Sequence, residues 1–492
     1  MKEKMVQFKL RCKTYLSQFD IARLRTYGRL IGVDSPTKKN KEPLIDEIIS
    51  ILSFELAPVE ISKRGAPVKN DRVDETIPEG IKQIKDDCFK NDVMIDTDVP
   101  EYDFDAEYRK MLQNTNPVRV ADPREEARGF VSKIVSRGQI VYIDGEYLLF
   151  PLDASEPAKK TPIPPEIVEE GDLREGDVIT CHYREKDGRQ WVGVLLTVND
   201  VFVQDLKERA HFDECAACYS QEKIHVFDGK NFNSSTHKYV EWLLPITKGQ
   251  RACIISAPKA GKTSALKKIV AGAQALNRKV EVLTLLIDQS HETVGEFRKI
   301  CTSGSLFYST YEDDADRQVF VADFVLKRAK RFAEMGKDVL LIVDSLSALT
   351  RAFNNTDASL GGKMLVCGLE NKTIHYVKKY FGSARCLEKG GSITILAAVN
   401  VGTGDPADET LARELSELST MQLYLSNELA IKRVYPAIDF FKGFTKSNNE
   451  EAKEIEFLLR NKILPAVGVE GGLKLLEDAQ TEEEFFQAVK TF

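Results

Sequence analysis

Ser256-Ala-Pro-Lys-Ala-Gly-Lys-Thr-Ser264 follows an apolar, β-type run, Ala252-Cys-Ile-Ile-Ser-Ala257, and opens a helical pattern that ends at Leu276. Strand, small-residue loop, helix is the context in which backbone N–H groups and a helix N-terminus hold phosphate. In that reading Lys262 reaches the β- and γ-phosphates of a nucleotide and the Thr263 hydroxyl ligates Mg²⁺. Ser256 stands where the strict pattern has its first glycine. A Gly-Lys-Thr tripeptide that merely began a helix would not need the buried strand before it.

Working outward, Val339-Leu-Leu-Ile-Val-Asp344 is a second apolar strand pattern, ending in a carboxylate about eighty residues further on. Such a run is common by itself. After a P-loop it places Asp344 to hold the Mg²⁺ shell opposite Thr263. Further β-type runs (VEVLTLLI, SLFYST, ITILAAV, MQLYL) alternate with helical stretches from about 245 onward. The expected fold class is therefore α/β, a parallel sheet covered by helices on both faces, over 245–492.

Upstream the texture changes. Residues 1–56 read as a small helical module, with Leu16, Phe19, Ile21, Leu24, Tyr27, Leu30 and Ile31 at helical spacing and a basic turn before LIDEIISIL. Residues 57–125, dominated by Pro, Lys, Asp and Glu, read as a charged, disordered linker. Over 126–205 five short alternating runs (GFVSKIV, QIVYIDG, YLLFPL, GDVITCHYR, WVGVLLTV), with turn signals at Asp144-Gly145 and Asp187-Gly188, predict a small OB-type β-barrel. Its aromatic and arginine side chains, among them Tyr142, Tyr147, Phe150, Tyr183, Arg184 and Trp191, divide between barrel core and a nucleic-acid platform. Residues 206–244 form a connector.

Composition narrows the remaining choices. With 42% hydrophobic and 29% charged residues, cores of ordinary size can form, and no uninterrupted apolar stretch is long enough to span a bilayer, so a cytoplasmic protein without membrane contact is expected. The net charge of −7 means that nucleic-acid binding has to come from local surfaces. Nine irregularly spaced cysteines do not make a disulfide framework. Cys215-Ala-Ala-Cys218 has ligand-like spacing but lacks the second pair that a zinc site requires.

Beyond the P-loop, Gly249-Gln-Arg251, Pro258-Lys-Ala-Gly-Lys-Thr263, Asp344-Ser, Arg351-Ala-Phe-Asn354, Phe381-Gly-Ser-Ala-Arg385, Gly390-Gly-Ser-Ile-Thr394 and Lys432-Arg-Val-Tyr-Pro-Ala-Ile-Asp439 occur in order. This chain resembles the Rho family of transcription termination factors across about 240–490. The resemblance implies a RecA-like, ring-forming ATPase: a homohexamer that binds single-stranded RNA, acts on the RNA polymerase elongation complex and uses ATP with Mg²⁺ to move along RNA as a helicase.

It also assigns roles. Thr247, Lys248, Gly249, Gln250, Arg251 and Ala252, with Lys259, Ala260, Gly261, Lys262, Thr263, Ser264 and Ser290, line the nucleotide, and Tyr435 stacks on adenine. Asp344 serves the Mg²⁺ site, Arg433 matches an interface arginine, and Lys363 matches a pore-loop lysine that grips RNA. Three positions depart from the family. Its Asp-Glu-Arg, whose glutamate polarises the attacking water, is here Asp288-Gln289-Ser290. Its arginine finger falls at Lys446, and Asp405-Pro406 stands where a second pore-loop lysine is expected. Two functional readings follow: an RNA translocase that terminates transcription, or an RNA-binding ring that binds ATP and hydrolyses it poorly. A strand-exchange protein or rotary ATPase subunit would share the P-loop but not the matches beyond residue 350.

Overall fold

A computed structural model describes residues 12–52, apart from 14, 32 and 34–38, and 130–492, apart from 153–159, 187–188, 207–208, 357–362, 366 and 447–449. The expected linker at 57–125 lies outside the described residues. The described residues fall into two units, one before residue 111 and one after it.

In the first unit the helices Ile21–Ile31 and Lys41–Leu52 pack around Leu16, Leu24, Tyr27, Leu44, Ile45 and Ile48, so the helical periodicity is real core. The second unit opens with an antiparallel sheet: β1 (Phe130–Ile143), β2 (Glu146–Phe150), β3 (Thr161–Pro162), β4 (Val178–Lys186), β5 (Arg189–Val198) and β6 (Val201–Phe202), in the order β3-β2-β1-β4-β5-β6. The helix Pro165–Glu170 lies between β3 and β4.

Two runs expected as separate strands are one. Ser136-Arg137-Gly138 continues β1, with a register shift between Val131 and Val135, because Gly138 lets the chain run against β2. A Cβ there would meet the Phe150 carbonyl oxygen at 2.4 Å. The Asp144-Gly145 turn holds, closing a two-residue hairpin with φ of 53° and 91°.

After β7 (Ala217–Cys218) comes the large sheet. With β7, which pairs with β12, its members are β8 (Arg251–Ser256), β9 (Val280–Gln289), β10 (Leu306–Thr310), β11 (Asp338–Asp344), β12 (Arg385–Leu387), β13 (Ser392–Asn400), β14 (Met421–Leu425) and β15 (Phe444–Thr445). The order is β10-β9-β11-β13-β8-β14-β15, parallel from β10 to β14. The strands read as continuous Val/Ile/Leu runs because both faces are covered, which is what buries Val339–Val343 and Ile393–Val399 completely or nearly so. One core lies on each face, around Leu266, Ile269 and Trp242 on one side and Phe324, Val325 and Phe381 on the other.

The antiparallel sheet is joined to the second of these cores. Phe150 packs on Phe320, and the buried Gln139 donates to the Phe324 carbonyl and accepts from Arg328. A buried network (Arg209 on Asp177, Arg174 and Arg331 on Glu334) holds the same junction.

Candidate nucleotide site

Parallel strands send their C-terminal ends to one edge, and there β8, β9, β11 and β13 present Ser256, Gln289, Asp344 and Asn400. The loop after β8 turns sharply, with Lys259 at φ 65° and Gly261 at φ 101°, and delivers the chain into the helix Lys262–Leu276. Thr263 sits in the first turn and its Oγ1 donates to Asp344 Oδ2 at 2.8 Å. Lys262 Nζ donates to the Ser256 and Ala257 carbonyls at 3.0 and 3.2 Å. Ser256, standing where the strict pattern has glycine, keeps an ordinary backbone φ and adds its own hydroxyl as an acceptor at 3.2 Å.

The electrostatics are those of a dry charged site. Burial raises the Asp344 carboxyl above its ordinary range, opposed by the Thr263 hydrogen bond and the Lys262 charge. Burial lowers the Lys262 ammonium, opposed by the charges of Asp344 and Asp408. Helix N-terminus, ammonium, hydroxyl and carboxylate converge, a donor set that fits a nucleotide phosphate chain with a divalent cation. Thr263 and Asp344 supply the hard oxygens such a cation prefers.

A cavity opens beside the loop, lined by Gly261, Ala265, Lys268, Leu425, Tyr435 and Ile438. Tyr435 is 55% exposed and its ring lies 3.8 Å from the Cβ position of Gly261, close enough to cover a flat base next to the phosphate loop. Ser290 lies at the same edge, where its hydroxyl caps the helix His291–Arg298 by accepting from Thr293 N. Gln289 points its carboxamide at main chain, donating to the Ile287 and Asp344 carbonyls at 3.4 Å.

Several expected site residues are placed elsewhere. Thr247–Ala252 are at the opposite end of β8 from the phosphate loop. Gly249 is wedged against Cys386, Lys248 bridges Glu222 and Asp338, and Arg251 donates to the Leu418 and Ala384 carbonyls. Thr247, Gln250 and Ala252 are buried, so this segment builds the fold and is not part of the nucleotide pocket of its own chain.

Lys446 is exposed, with its N–H on the Thr420 carbonyl at the entry to β14, again the far edge. Arg433 is exposed in the loop that carries Tyr435. Lys363 is exposed beside the bridge Met364–Glu370. In the antiparallel sheet Tyr142 is half exposed and paired with Tyr147, whereas Arg184 pairs with Val131 at the other end of the 14-residue β1, so the two expected RNA contacts do not form one patch.

Sequence reading missed Asp408. It is buried, accepts from Arg351 Nη1 at 3.2 Å and from Thr403 Oγ1 at 2.9 Å, and acts on Lys262 through its charge. The signal available was an acid just inside a helix that begins with Asp405-Pro406. No group of three or more His, Cys, Asp or Glu suited to a metal occurs among the described residues.

Known proteins bear on this geometry in two ways. The nucleotide-binding domain of the ATP synthase alpha/beta family matches residues 236–445, which contain the whole constellation. Transcription termination factor Rho of Haemophilus influenzae is 34% identical over 340 residues, 67% of this chain and 80% of that protein. The chain belongs to the Rho family.

Rho of Borreliella burgdorferi is also 34% identical, over 64% of this chain, and the chain spans 63% of that relative. A solved ATPase of a bacterial type III secretion system is 20% identical, covering 52% of this chain and 82% of that one with a TM-score of 0.43. The chain is a divergent Rho-family member with a RecA-like P-loop ATPase domain. Among the described residues no helix is long and apolar enough to cross a membrane.

Proposed function

We propose that this chain is an ATP-driven RNA translocase that forms a homohexameric ring and terminates transcription by pulling the transcript from RNA polymerase. The observation that carries it is the Lys262–Thr263–Asp344 constellation at the sheet edge of a Rho-family chain. We read 1–56 as the helical module, 126–205 as an OB-type RNA-binding domain, 206–244 as connector and 245–492 as the motor. The strand order, with β1 central and the Pro165–Glu170 helix between β3 and β4, supports the OB reading.

Within one protomer the chemistry divides as follows. The loop N–H groups and Lys262 bind and orient the phosphates, and Tyr435 orients the base. Thr263 and Asp344 would hold Mg²⁺, which neutralises charge developing on the phosphoryl oxygens when bound. Asp408 fixes Arg351 and Thr403 behind the loop that follows β13. Lys446 sits at the far edge of its own sheet, so it can serve a nucleotide only on a neighbouring protomer. Exposed Ile431, Phe444 and Phe457 supply apolar surface for that contact.

A second reading, slow turnover, is favoured by Gln289. A carboxamide can orient water but cannot take its proton, and general-base catalysis is worth about 10²–10⁴-fold. Glu296, a carboxylate that could substitute, is held by Lys267, and Glu292 is exposed beside Ser290.

ATPase assays with and without single-stranded RNA, alongside light scattering, test the proposal. RNA-stimulated turnover from a six-chain species is expected, and a monomer without RNA stimulation rules the translocase out. Gln289→Glu should raise turnover without tightening nucleotide binding. An unchanged rate means that proton abstraction at this position does not limit the reaction.

A further inference from the structure

The two-residue strand β7 belongs to the connector and pairs antiparallel with β12, placing Cys218 directly opposite Cys386. Glu388 N donates to the Ala216 carbonyl at 3.0 Å, so the 216–388 pair is a hydrogen-bonded pair. Two steps along an alternating ladder, the 218–386 pair has the same character. Such pairs hold Cα atoms about 5.5 Å apart, inside the roughly 4.4–6.8 Å window of natural disulfides. Directly opposed residues also share a face, so the two thiols stand side by side, and closing a disulfide draws these two short strands about 1 Å together.

The side chains agree with the backbone. Both cysteines are free thiols, and Cys218 is exposed while Cys386 is half-buried. The Cys386 thiol is pushed up to about 12, by burial first and then by its hydrogen bond to Cys218. By contrast Cys181 and Cys253 are fully buried and face Ser136 and Ala397 across their ladders, not a second thiol. Cys386 also touches the turn that feeds β8, since a Cβ on Gly249 would meet Cys386 N at 2.5 Å.

We propose that Cys218 and Cys386 are a redox-active dithiol whose oxidation to a disulfide clasps the connector to the edge of the ATPase sheet. The oxidant is a small-molecule disulfide such as oxidised glutathione. The exposed Cys218 thiolate attacks one sulfur of the oxidant, forming a mixed disulfide and expelling one thiolate. Cys386, after losing its proton, attacks the Cys218 sulfur and expels nothing further from the protein: the oxidant's second thiolate departs. Two thiols have lost two protons and two electrons, and the oxidant has been reduced to two thiols. The new bond closes a long loop through the ATPase domain, which restricts the unfolded chain more than the folded one. The clasp lies at the end of the sheet opposite the phosphate loop, so it adjusts stability and leaves nucleotide affinity alone.

The test uses the full chain, incubated with oxidised glutathione, blocked with N-ethylmaleimide and digested without reduction. A single cross-linked peptide joining Cys218 to Cys386 is expected, lost in Cys218→Ser and after reduction, and retained in Cys215→Ser. The oxidised protein should unfold at a higher urea midpoint than the reduced one, with equal nucleotide affinity. Recovery of Cys218 alkylated, glutathionylated, or linked to Cys215 overturns the proposal, as does an unchanged midpoint in the cross-linked protein.

Discussion

The two ends of β8 are built from neighbouring stretches of sequence and do opposite jobs. At its C-terminal end Lys259 and Gly261 hold left-handed backbone, the half-buried Lys262 faces the buried Asp344, and the Tyr435 ring stands in the open. At its N-terminal end every charge is spent on the fold: Lys248 on Glu222 and Asp338, Arg251 on two carbonyls. Side chains are rich in charge at both ends. What separates them is whether the charges face protein partners or one another across a loop able to admit a ligand.

The largest effect that could break this contrast is at Lys262. Replacement by alanine removes the principal charged partner of a nucleotide phosphate, a contact worth about 1.5–3 kcal/mol even before chemistry begins. Nucleotide affinity by titration calorimetry should fall by a factor of ten or more and hydrolysis should vanish, with the fold intact by circular dichroism. Undiminished affinity would remove the phosphate loop from the site.

At the other end Arg251→Ala should do the reverse. Losing two charged hydrogen bonds to carbonyls left half-buried should cost roughly 2–4 kcal/mol in urea unfolding. Nucleotide affinity per folded molecule should stay within about twofold, so a selective loss of affinity would return this segment to the pocket.

A smaller effect separates the exposed lysines. Lys363→Ala should weaken stimulation by RNA a few-fold, since one lysine accounts for about one phosphate contact, while nucleotide binding without RNA is unchanged. Equal loss of both would make Lys363 a structural residue.

The contrast also shows which parts of the molecule could be read in advance. The α/β class, the P-loop and the strand that ends at Asp344 were legible because buried parallel strands write continuous apolar runs and phosphate loops need small residues at fixed spacing. Thr247–Ala252 were misplaced because the motif resemblance attaches them to the nucleotide, whereas strand direction puts the start of β8 at the far edge. Asp408 was invisible because its role arises only when the helix after β13 folds over Lys262. In the antiparallel sheet, GFVSKIV and QIVYIDG read as two runs although Gly138, between them, marks a close approach within one strand, and only the register separates Tyr142 from Arg184.

The finest test of the contrast is the stability of Asp344→Asn without ligand. In the folded protein burial raises the Asp344 carboxyl above its unfolded value, and the hydrogen bond from Thr263 and the charge of Lys262 offset this in part. A raised folded value means that the folded state holds the proton more tightly than the unfolded chain. The resulting stability is fully present below the ordinary carboxylate range and is lost as pH rises through the raised value. At pH 7, above the ordinary carboxylate range, the buried Asp344 carboxyl therefore costs the fold something, even though its chemistry requires it. Asparagine imitates the neutral form and can still accept from Thr263. The nucleotide-free variant should melt above the parent at pH 7, with each kcal/mol read as about 2–4 °C, and the gap should close as pH falls toward the carboxylate range. Saturating Mg·ATP should reverse the order, because a ligand at a hundred times its Kd stabilises only a chain that binds it, by about 2.7 kcal/mol. If the variant melts lower at neutral pH without ligand, the Thr263–Asp344 contact supports the fold like the salt bridges at the other end of β8, and the division between the two edges of the sheet fails at its central residue.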